Sequence, residues 1–263
     1  MTITDYIRQL QSYEEYAFSW NELTKNCNKT ETSLKSELSR LVRKGEILNL
    51  RKGFYLIIPP RYSTLGQLPI QLYVEKLFKH LNREYYLGFY TAAQFHGASH
   101  QQVQWDYIMM SSPSVPNIQK NSLNIRFLTT SIWPNMNIVE KKADAGIFKI
   151  SSPALTVLDL IRFQTKLGGL NRLFTVLEEL CEEIEPQDLI SLLTWYPFSS
   201  TLQRFGYLMD VFQADEDLIG LIMTHLKLLR FFPVLLSPKP GQKPGAVSNP
   251  WKVDINIDLE SDL

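Results

Sequence analysis

The 263-residue sequence predicts an α+β protein with a small N-terminal domain over residues 1–62 and a larger, mostly helical α+β domain over residues 63–263. Two observations lead to this prediction. The N-terminal part shows short amphipathic helix patterns followed by two apolar runs around a basic glycine turn. The rest of the chain mixes helical periodicity with short strand-like runs that do not follow a strict strand–helix–strand order. This mixture favours the α+β class over a doubly wound sheet.

Capping residues and apolar spacing predict the first two helices. One helix is expected over residues 3–12, where apolar side chains recur at helical spacing. Ser19 and Glu22 stand in the pattern of a capping box, which predicts a short second helix that ends near Asn26.

A third helix is predicted from about Thr30 to the glycine at position 45, a residue type that commonly ends helices. Leu34, Leu38 and Leu41 form one apolar stripe along this helix. Its other face carries small polar and basic side chains, namely Thr32, Ser33, Lys35, Ser36, Ser39, Arg40 and Arg43. Side chains of these types contact base edges and phosphates in protein–DNA complexes.

The apolar runs 46–50 and 54–57 flank Arg51-Lys52-Gly53, and this arrangement predicts a β-hairpin. Short helices followed by such a hairpin are the pattern of a winged helix-turn-helix, which places one helix in the major groove of DNA. The basic turn would then form the wing tip, close to a phosphate or the minor groove.

Positive charge is concentrated in the same part of the chain. Between Lys25 and Arg61 there are nine Lys or Arg and three Glu, whereas the whole chain has 27 basic and 27 acidic residues. This distribution is typical of a surface that neutralises phosphates, and we therefore predict binding to double-stranded DNA. The predicted groove-facing residues are Thr32, Ser33, Lys35, Ser36 and Arg40. The predicted phosphate or minor-groove contacts are Lys29, Arg43, Arg51 and Lys52. A winged helix that binds only protein is the alternative.

The sequence gives no sign of a catalytic residue, a metal site or a cofactor. Walker A, GxGxxG, HExxH and GxSxG motifs are absent from it. Its two cysteines, Cys27 and Cys181, lie far apart without CxxC spacing, which argues against a zinc site or a disulfide framework. No apolar run approaches the roughly 20 residues that span a bilayer, and the first residues lack the features of a signal peptide. We therefore expect a cytoplasmic protein that does not contact a membrane.

Beyond a linker from Pro59 to about Gly66, the second domain is predicted to combine helices with short strands. Ser152 as a cap and Pro153 at the first helical position mark one helix start. The other predicted helices span residues 68–81, 86–95, 170–183, 186–195, 200–213 and 216–230. The predicted strands span residues 103–110, 125–129, 147–150 and 251–259.

Two polar residues of this domain receive structural interpretations. His96, which Gly97 follows, has no motif that would supply a catalytic partner, so we expect it to bond backbone carbonyls at a helix end. Asp159 lies in an apolar helix and is expected to pair with an arginine, either Arg162 or Arg204.

Five segments together resemble a known family. They are Arg51–Tyr55, Tyr86–Gly97 (YLGFYTAAQFHG), Ile150–Leu160 (ISSPALTVLDL), Gln203–Leu208 (QRFGYL) and Asn249–Val253 (NPWKV). In order and spacing they resemble the AbiEi-type antitoxins of type IV toxin–antitoxin, or abortive infection, systems. Each segment alone is weakly specific, and none is a catalytic signature.

The resemblance implies two tasks. The winged helix would bind inverted repeats in its own promoter and act as a transcriptional repressor. The second domain would counter a nucleotidyltransferase toxin encoded alongside, and the family is classed as acting without a stable complex with that toxin. Two alternatives stay open at the level of the sequence. One is a transcription factor whose second domain senses a ligand or dimerises, and the other is a degenerate nuclease that uses carboxylates such as Asp106 or Asp144.

Overall fold

The structure is a computed structural model that describes residues 1–63, 68–98 and 104–259, and it confirms the predicted α+β class. The helices are α1 (Ile3–Ser12), α2 (Trp20–Asn26), α3 (Glu31–Arg43), α4 (Pro60–Ser63), α5 (Val74–Leu81), α6 (Phe89–Phe95), α7 (Pro153–Arg162), α8 (Leu170–Glu182), α9 (Pro186–Leu193), α10 (Ser199–Phe212) and α11 (Glu216–Lys227). The strands are β1 (Ala17–Ser19), β2 (Ile47–Arg51), β3 (Phe54–Ile57), β4 (Tyr85–Leu87), β5 (Asp106–Ser111), β6 (Ile118–Lys120), β7 (Leu123–Thr130), β8 (Ile138–Ala143), β9 (Gly146–Ser151), β10 (Val234–Leu235) and β11 (Val253–Asp254).

These strands form three sheets. The first has the order β1-β3-β2 with antiparallel pairing. A six-stranded mixed sheet has the order β6-β7-β5-β4-β9-β8, in which β5 and β7 run parallel from the pair Asp106–Ile125 to the pair Ser111–Thr130. Strands β10 and β11 form a short parallel pair.

The chain divides into two compact units. The first unit consists of residues 1–86, 104–131 and 140–149, and the second unit consists of residues 87–103, 132–139 and 150–263. The predicted N-terminal domain, residues 1–62, lies inside the first unit together with β5, β6 and β7. Its boundary as a separate module stays a prediction, and the predicted linker reaches residues 64–66, which lie outside the described part of the chain.

The N-terminal helices form where the sequence predicts them, because their caps and apolar stripes are satisfied locally. The backbone N–H of Ser19 donates to Glu22 at 2.6 Å, and the Ser19 hydroxyl accepts from the Glu22 N–H at 3.2 Å, which completes the capping box. Thr30 caps α3, and Gly45 follows α3 with a φ of +71°. Apolar residues of α1, α2, α3 and the β2–β3 hairpin share one buried core.

Three predicted elements were wrong in part, and tertiary partners explain two of them. Residues 86–95 are not one helix, because Leu87 belongs to β4 and pairs with Ile150 before α6 begins. The predicted terminal strand 251–259 shrinks to β11, and beyond it Asn256 bonds the backbone of Ser237 through its side chain. The predicted helix 68–81 begins only at Val74, after a 3-10 turn over Ile70–Leu72. Strands β1, β6, β8 and β10 were not predicted, and position 103 of the predicted strand 103–110 lies outside the described residues.

In the second unit, α10 packs against the C-terminal segment through a glycine. A Cβ atom added to Gly206 would lie 2.1 Å from the ring of Trp251, which is 1% exposed. The Gln203 amide donates to the carbonyl of Trp251 at 2.8 Å, and the Trp251 indole N–H donates to Asp210. Two of the segments that carry the family resemblance, 203–208 and 249–253, therefore contact each other.

We expect Gly206→Ala to destabilise the protein by about 1–3 kcal/mol, because the added methyl overlaps the buried Trp251 ring. Gly220→Ala is the matched control. Gly220 lies in α11 with no atom within 4 Å of an added Cβ, and this change should stabilise by about 0.5–1 kcal/mol. Urea unfolding monitored by tryptophan fluorescence measures both changes, and equal effects of the two substitutions would contradict the close packing.

In the first unit, a carboxyl at the start of β5 is placed in an unfavourable environment. Burial raises the pKa of Asp106 from 3.8 to about 7. The nearby Tyr73 hydroxyl is fully buried and has no hydrogen-bond partner among the described residues. A carboxyl whose pKa is raised by folding binds its proton more tightly in the folded state, so folded stability decreases as pH rises between the two pKa values.

We therefore expect Asp106→Asn to stabilise the protein at pH 8 and to leave its stability nearly unchanged at pH 3. Between about pH 4 and pH 7 the difference from wild type should grow by at most about 1.4 kcal/mol for each pH unit. Thermal unfolding of both proteins between pH 3 and pH 8 measures this difference in stability. Asp144→Asn serves as the control, because Asp144 is an exposed carboxyl of the same unit. A difference that does not depend on pH would show that Asp106 titrates normally.

Candidate nucleic-acid interface

Helix α3 exposes one polar face because the opposite face is buried. Leu34, Leu38 and Leu41 are each no more than 3% exposed. At about 100° per residue, the positions farthest from this stripe are those of Thr32, Ser36, Ser39, Arg40 and Arg43. Ser33 and Lys35 lie toward the two flanks of this face, and all of these polar side chains are exposed.

The β2–β3 hairpin lies beside one flank of α3. Gly53 has a φ of +73° at the hairpin turn, and its carbonyl accepts a hydrogen bond from the Trp20 N–H at 2.8 Å. Lys52 is exposed at this turn. A surface groove of about 530 Å³ separates α3 from the hairpin, and it is lined by Lys35, Leu38, Ser39, Val42, Arg43, Asn49 and Tyr55.

Two of the predicted contact lysines form ion pairs with glutamates. Lys29 bonds Glu37 at 2.7 Å, and Lys35 bonds Glu31 at 3.0 Å while lying 5.5 Å from the centre of the Trp20 ring. The Lys35 pair is mostly exposed, and exposed pairs of this kind contribute little stability, so breaking the Lys35–Glu31 pair costs little free energy.

Arg51 differs from the other predicted contacts because its guanidinium bonds another part of the first unit. One amino group donates to the carbonyl of Pro116, and the guanidinium carbon lies 5.4 Å from the centre of the Phe127 ring. Burial lowers the pKa of Arg51. A second bond joins the same two regions, since Lys120 of β6 donates to the carbonyl of Asn49 in β2 at 2.6 Å.

The structure thus brings six of the nine predicted residues to the exposed face of α3, namely Thr32, Ser33, Lys35, Ser36, Arg40 and Arg43, and leaves Lys52 exposed at the hairpin turn. Lys29 is engaged by Glu37, and Arg51 is engaged by Pro116. Asn49 lines the groove but is not among the predicted contacts. Its alternation with the buried Leu50 in β2 is the sequence signal that could have identified it.

Residues considered for other chemistry occupy separate places. His96 Nε2 lies 2.8 Å from the Ser151 carbonyl, which confirms its predicted bond to a backbone carbonyl. Arg204 donates to the carbonyls of Leu235 and Ser200, and its pKa is lowered to about 10 by burial. Within the described ranges, no group of three or more His, Cys, Asp or Glu could hold a metal ion. Neither Cys27 nor Cys181, both of them buried, forms a disulfide.

No helix in the described part of the chain is long and apolar enough to cross a membrane. None of the curated protein sequences matches this chain.

Solved structures show the fold in another protein. The crystal structure of the RV2827C protein from Mycobacterium tuberculosis is similar with a TM-score of 0.61 and 16% sequence identity, covering 94% of this chain and 89% of that one. At this identity the similarity concerns the fold alone.

A comparison with protein families matches residues 86–211 to the AbiEi antitoxin C-terminal domain. The matched range contains the segments 86–97, 150–160 and 203–208, three of the five on which the predicted resemblance depends. The predicted resemblance to the AbiEi-type antitoxins is therefore confirmed over residues 86–211.

Proposed function

We propose that this protein is a type IV antitoxin and transcriptional autorepressor. Residues 1–62 act as a winged helix-turn-helix that binds inverted repeats in the protein's own promoter. The rest of the chain counters a nucleotidyltransferase toxin encoded alongside. The observation that carries the DNA-binding part is the exposed polar and basic face of α3 beside a basic hairpin turn.

Helix α3 suits the major groove in size and chemistry. Its 13 residues give it a length of about 20 Å, and a single α-helix fits a groove about 12 Å wide. The hydroxyls of Thr32, Ser33 and Ser36 can each donate to or accept from base edges. Arg40 adds a planar donor of the kind that recognises guanine.

Phosphate contacts would surround this helix. Arg43 lies at its C-terminal end, and Lys52 lies at the tip of the neighbouring hairpin, so the two cations are suited to phosphates beside the occupied groove. Lys29 and Lys35 would join them after giving up their glutamate partners. A surface built this way releases counterions from DNA, so its affinity must decrease steeply with salt.

The antitoxin activity is supported by the family match over residues 86–211. We propose that it needs no metal or cofactor, involves no catalysis by this chain, and takes place in the cytoplasm. We also propose that it does not depend on a stable complex with the toxin. Inverted repeats imply two protomers on one operator.

The first experiment is a salt-dependent titration of the DNA upstream of this gene. Wild-type protein should prefer this DNA to a scrambled sequence. Arg40→Ala and Lys52→Ala should each weaken binding and reduce the slope of log K against log salt by about one, because each removes one cationic contact.

Lys243→Ala is the matched control, since it removes an exposed cation of the second unit and should leave the slope unchanged. Equal affinity for promoter and scrambled DNA at low salt would overturn the DNA-binding proposal. It would leave an N-terminal module that binds only protein.

The proposed neutralisation of the toxin is tested by expressing this protein together with the adjacent nucleotidyltransferase, both from a promoter unrelated to their own. Wild-type protein should restore growth. The double variant Arg40→Ala, Lys52→Ala should restore it equally, because both substitutions lie outside the family-matched range. Continued growth arrest with the wild-type protein would exclude neutralisation, and loss of rescue in the double variant would show that neutralisation acts through DNA binding.

A further inference from the structure

The β2–β3 hairpin is attached to the β6–β7 region by two side chains. Arg51 extends from β2 to the Pro116 carbonyl and the Phe127 ring, and Lys120 extends from β6 to the Asn49 carbonyl. All of these residues belong to the first unit. The Arg51–Pro116 bond joins positions 65 residues apart in the sequence.

A β-bulge directs Arg51 toward this region. Asn49 pairs with Tyr55 and Arg51 pairs with Phe54, so β2 contains one more residue than β3 at this point. The extra residue, Leu50, is 1% exposed. Bulges change the direction in which the following side chain points, and here that side chain is the arginine.

The contacts of Arg51 compete with a phosphate for the same guanidinium. Phe127 is 7% exposed, so its ring is a buried partner and not a surface side chain that moves aside freely. A charge-assisted hydrogen bond of this kind contributes more than a neutral one, and the cation–π contact adds to it. To reach DNA, Arg51 would have to give up both contacts, whereas Lys52 next to it is exposed.

We propose that Arg51 is a positioning residue, which fixes the hairpin against Pro116 and Phe127 so that Lys52 is presented beside α3. This inference rests on the proposed DNA binding. It assigns Arg51 an indirect role in place of the direct phosphate contact expected from the sequence. It also makes residues 116–127, which lie within the family-matched range, a determinant of operator affinity without a DNA contact of their own.

The attachment itself can be tested without DNA. Hydrogen–deuterium exchange of the free protein should show the amides of residues 47–57 exchanging about tenfold faster in Arg51→Ala than in wild type, because the charge-assisted bond that attaches the hairpin to the Pro116 carbonyl is lost. Lys52→Ala, one position along, should leave these amides unchanged. Unchanged exchange in Arg51→Ala would overturn the proposal.

The effect of Arg51→Ala on DNA binding is tested by measuring both the promoter affinity and the slope of log K against log salt. Arg51→Ala should weaken promoter binding by about tenfold and leave the salt slope at the wild-type value, because no phosphate contact is removed. In a Phe127→Leu background the further effect of Arg51→Ala should be smaller, because the two residues act through one contact.

Two results would contradict the indirect role. One is a slope reduced by about one in Arg51→Ala, which would assign a direct phosphate contact. The other is full additivity of the effects of Arg51→Ala and Phe127→Leu on the free energy of promoter binding. If wild-type protein shows no preference for its promoter, the proposed function fails, and the exchange experiment still decides whether Arg51 holds the hairpin.

Discussion

The burial of one leucine stripe determines what the N-terminal part of this protein can do. Leu34, Leu38 and Leu41 face a core shared with α1 and α2, so the rotation of α3 about its own axis is fixed. Once these three residues are inside, hydroxyl and guanidinium groups must lie outside. The apolar contacts thus supply the driving force, and the polar face that results supplies the chemistry.

Local signals were sufficient for most of the helices and for the β2–β3 hairpin, but they did not predict several strands of the larger sheet. The Ser19–Glu22 capping box and the Ser152–Pro153 helix start depend on residues no more than three positions apart, which a sequence pattern contains in full. Strand β4 depends on the pairing of Leu87 with Ile150, a contact across 63 positions that no local pattern encodes. The apolar run 86–95 is compatible with either a helix or a strand, and the pairing with the distant Ile150 decides that its start is a strand.

The candidate site also contains one part that local signals predict and one part that depends on distant contacts. Residues on α3 could be predicted because the helical period relates each of them to the buried stripe. The surroundings of Arg51 could not, because Pro116 and Phe127 are remote in sequence and the bulge at Leu50 leaves no clear pattern. A basic turn between two apolar runs identifies a hairpin correctly without revealing which of its cations faces solvent.

The cations of this surface are therefore not equivalent, although sequence composition counts them equally. Lys35 lies in a mostly exposed pair, where solvent screens the attraction and the pair can open at little cost. Arg51 donates to a carbonyl beside a buried ring, and burial lowers its pKa. Moving Lys35 to a phosphate would exchange one charged partner for another. Moving Arg51 to a phosphate would leave a carbonyl and an aromatic face without their partner. In the proposed DNA-binding surface, the free energy of that difference, and not the number of positive charges, separates the residues proposed to contact DNA from the residue proposed to hold them in place.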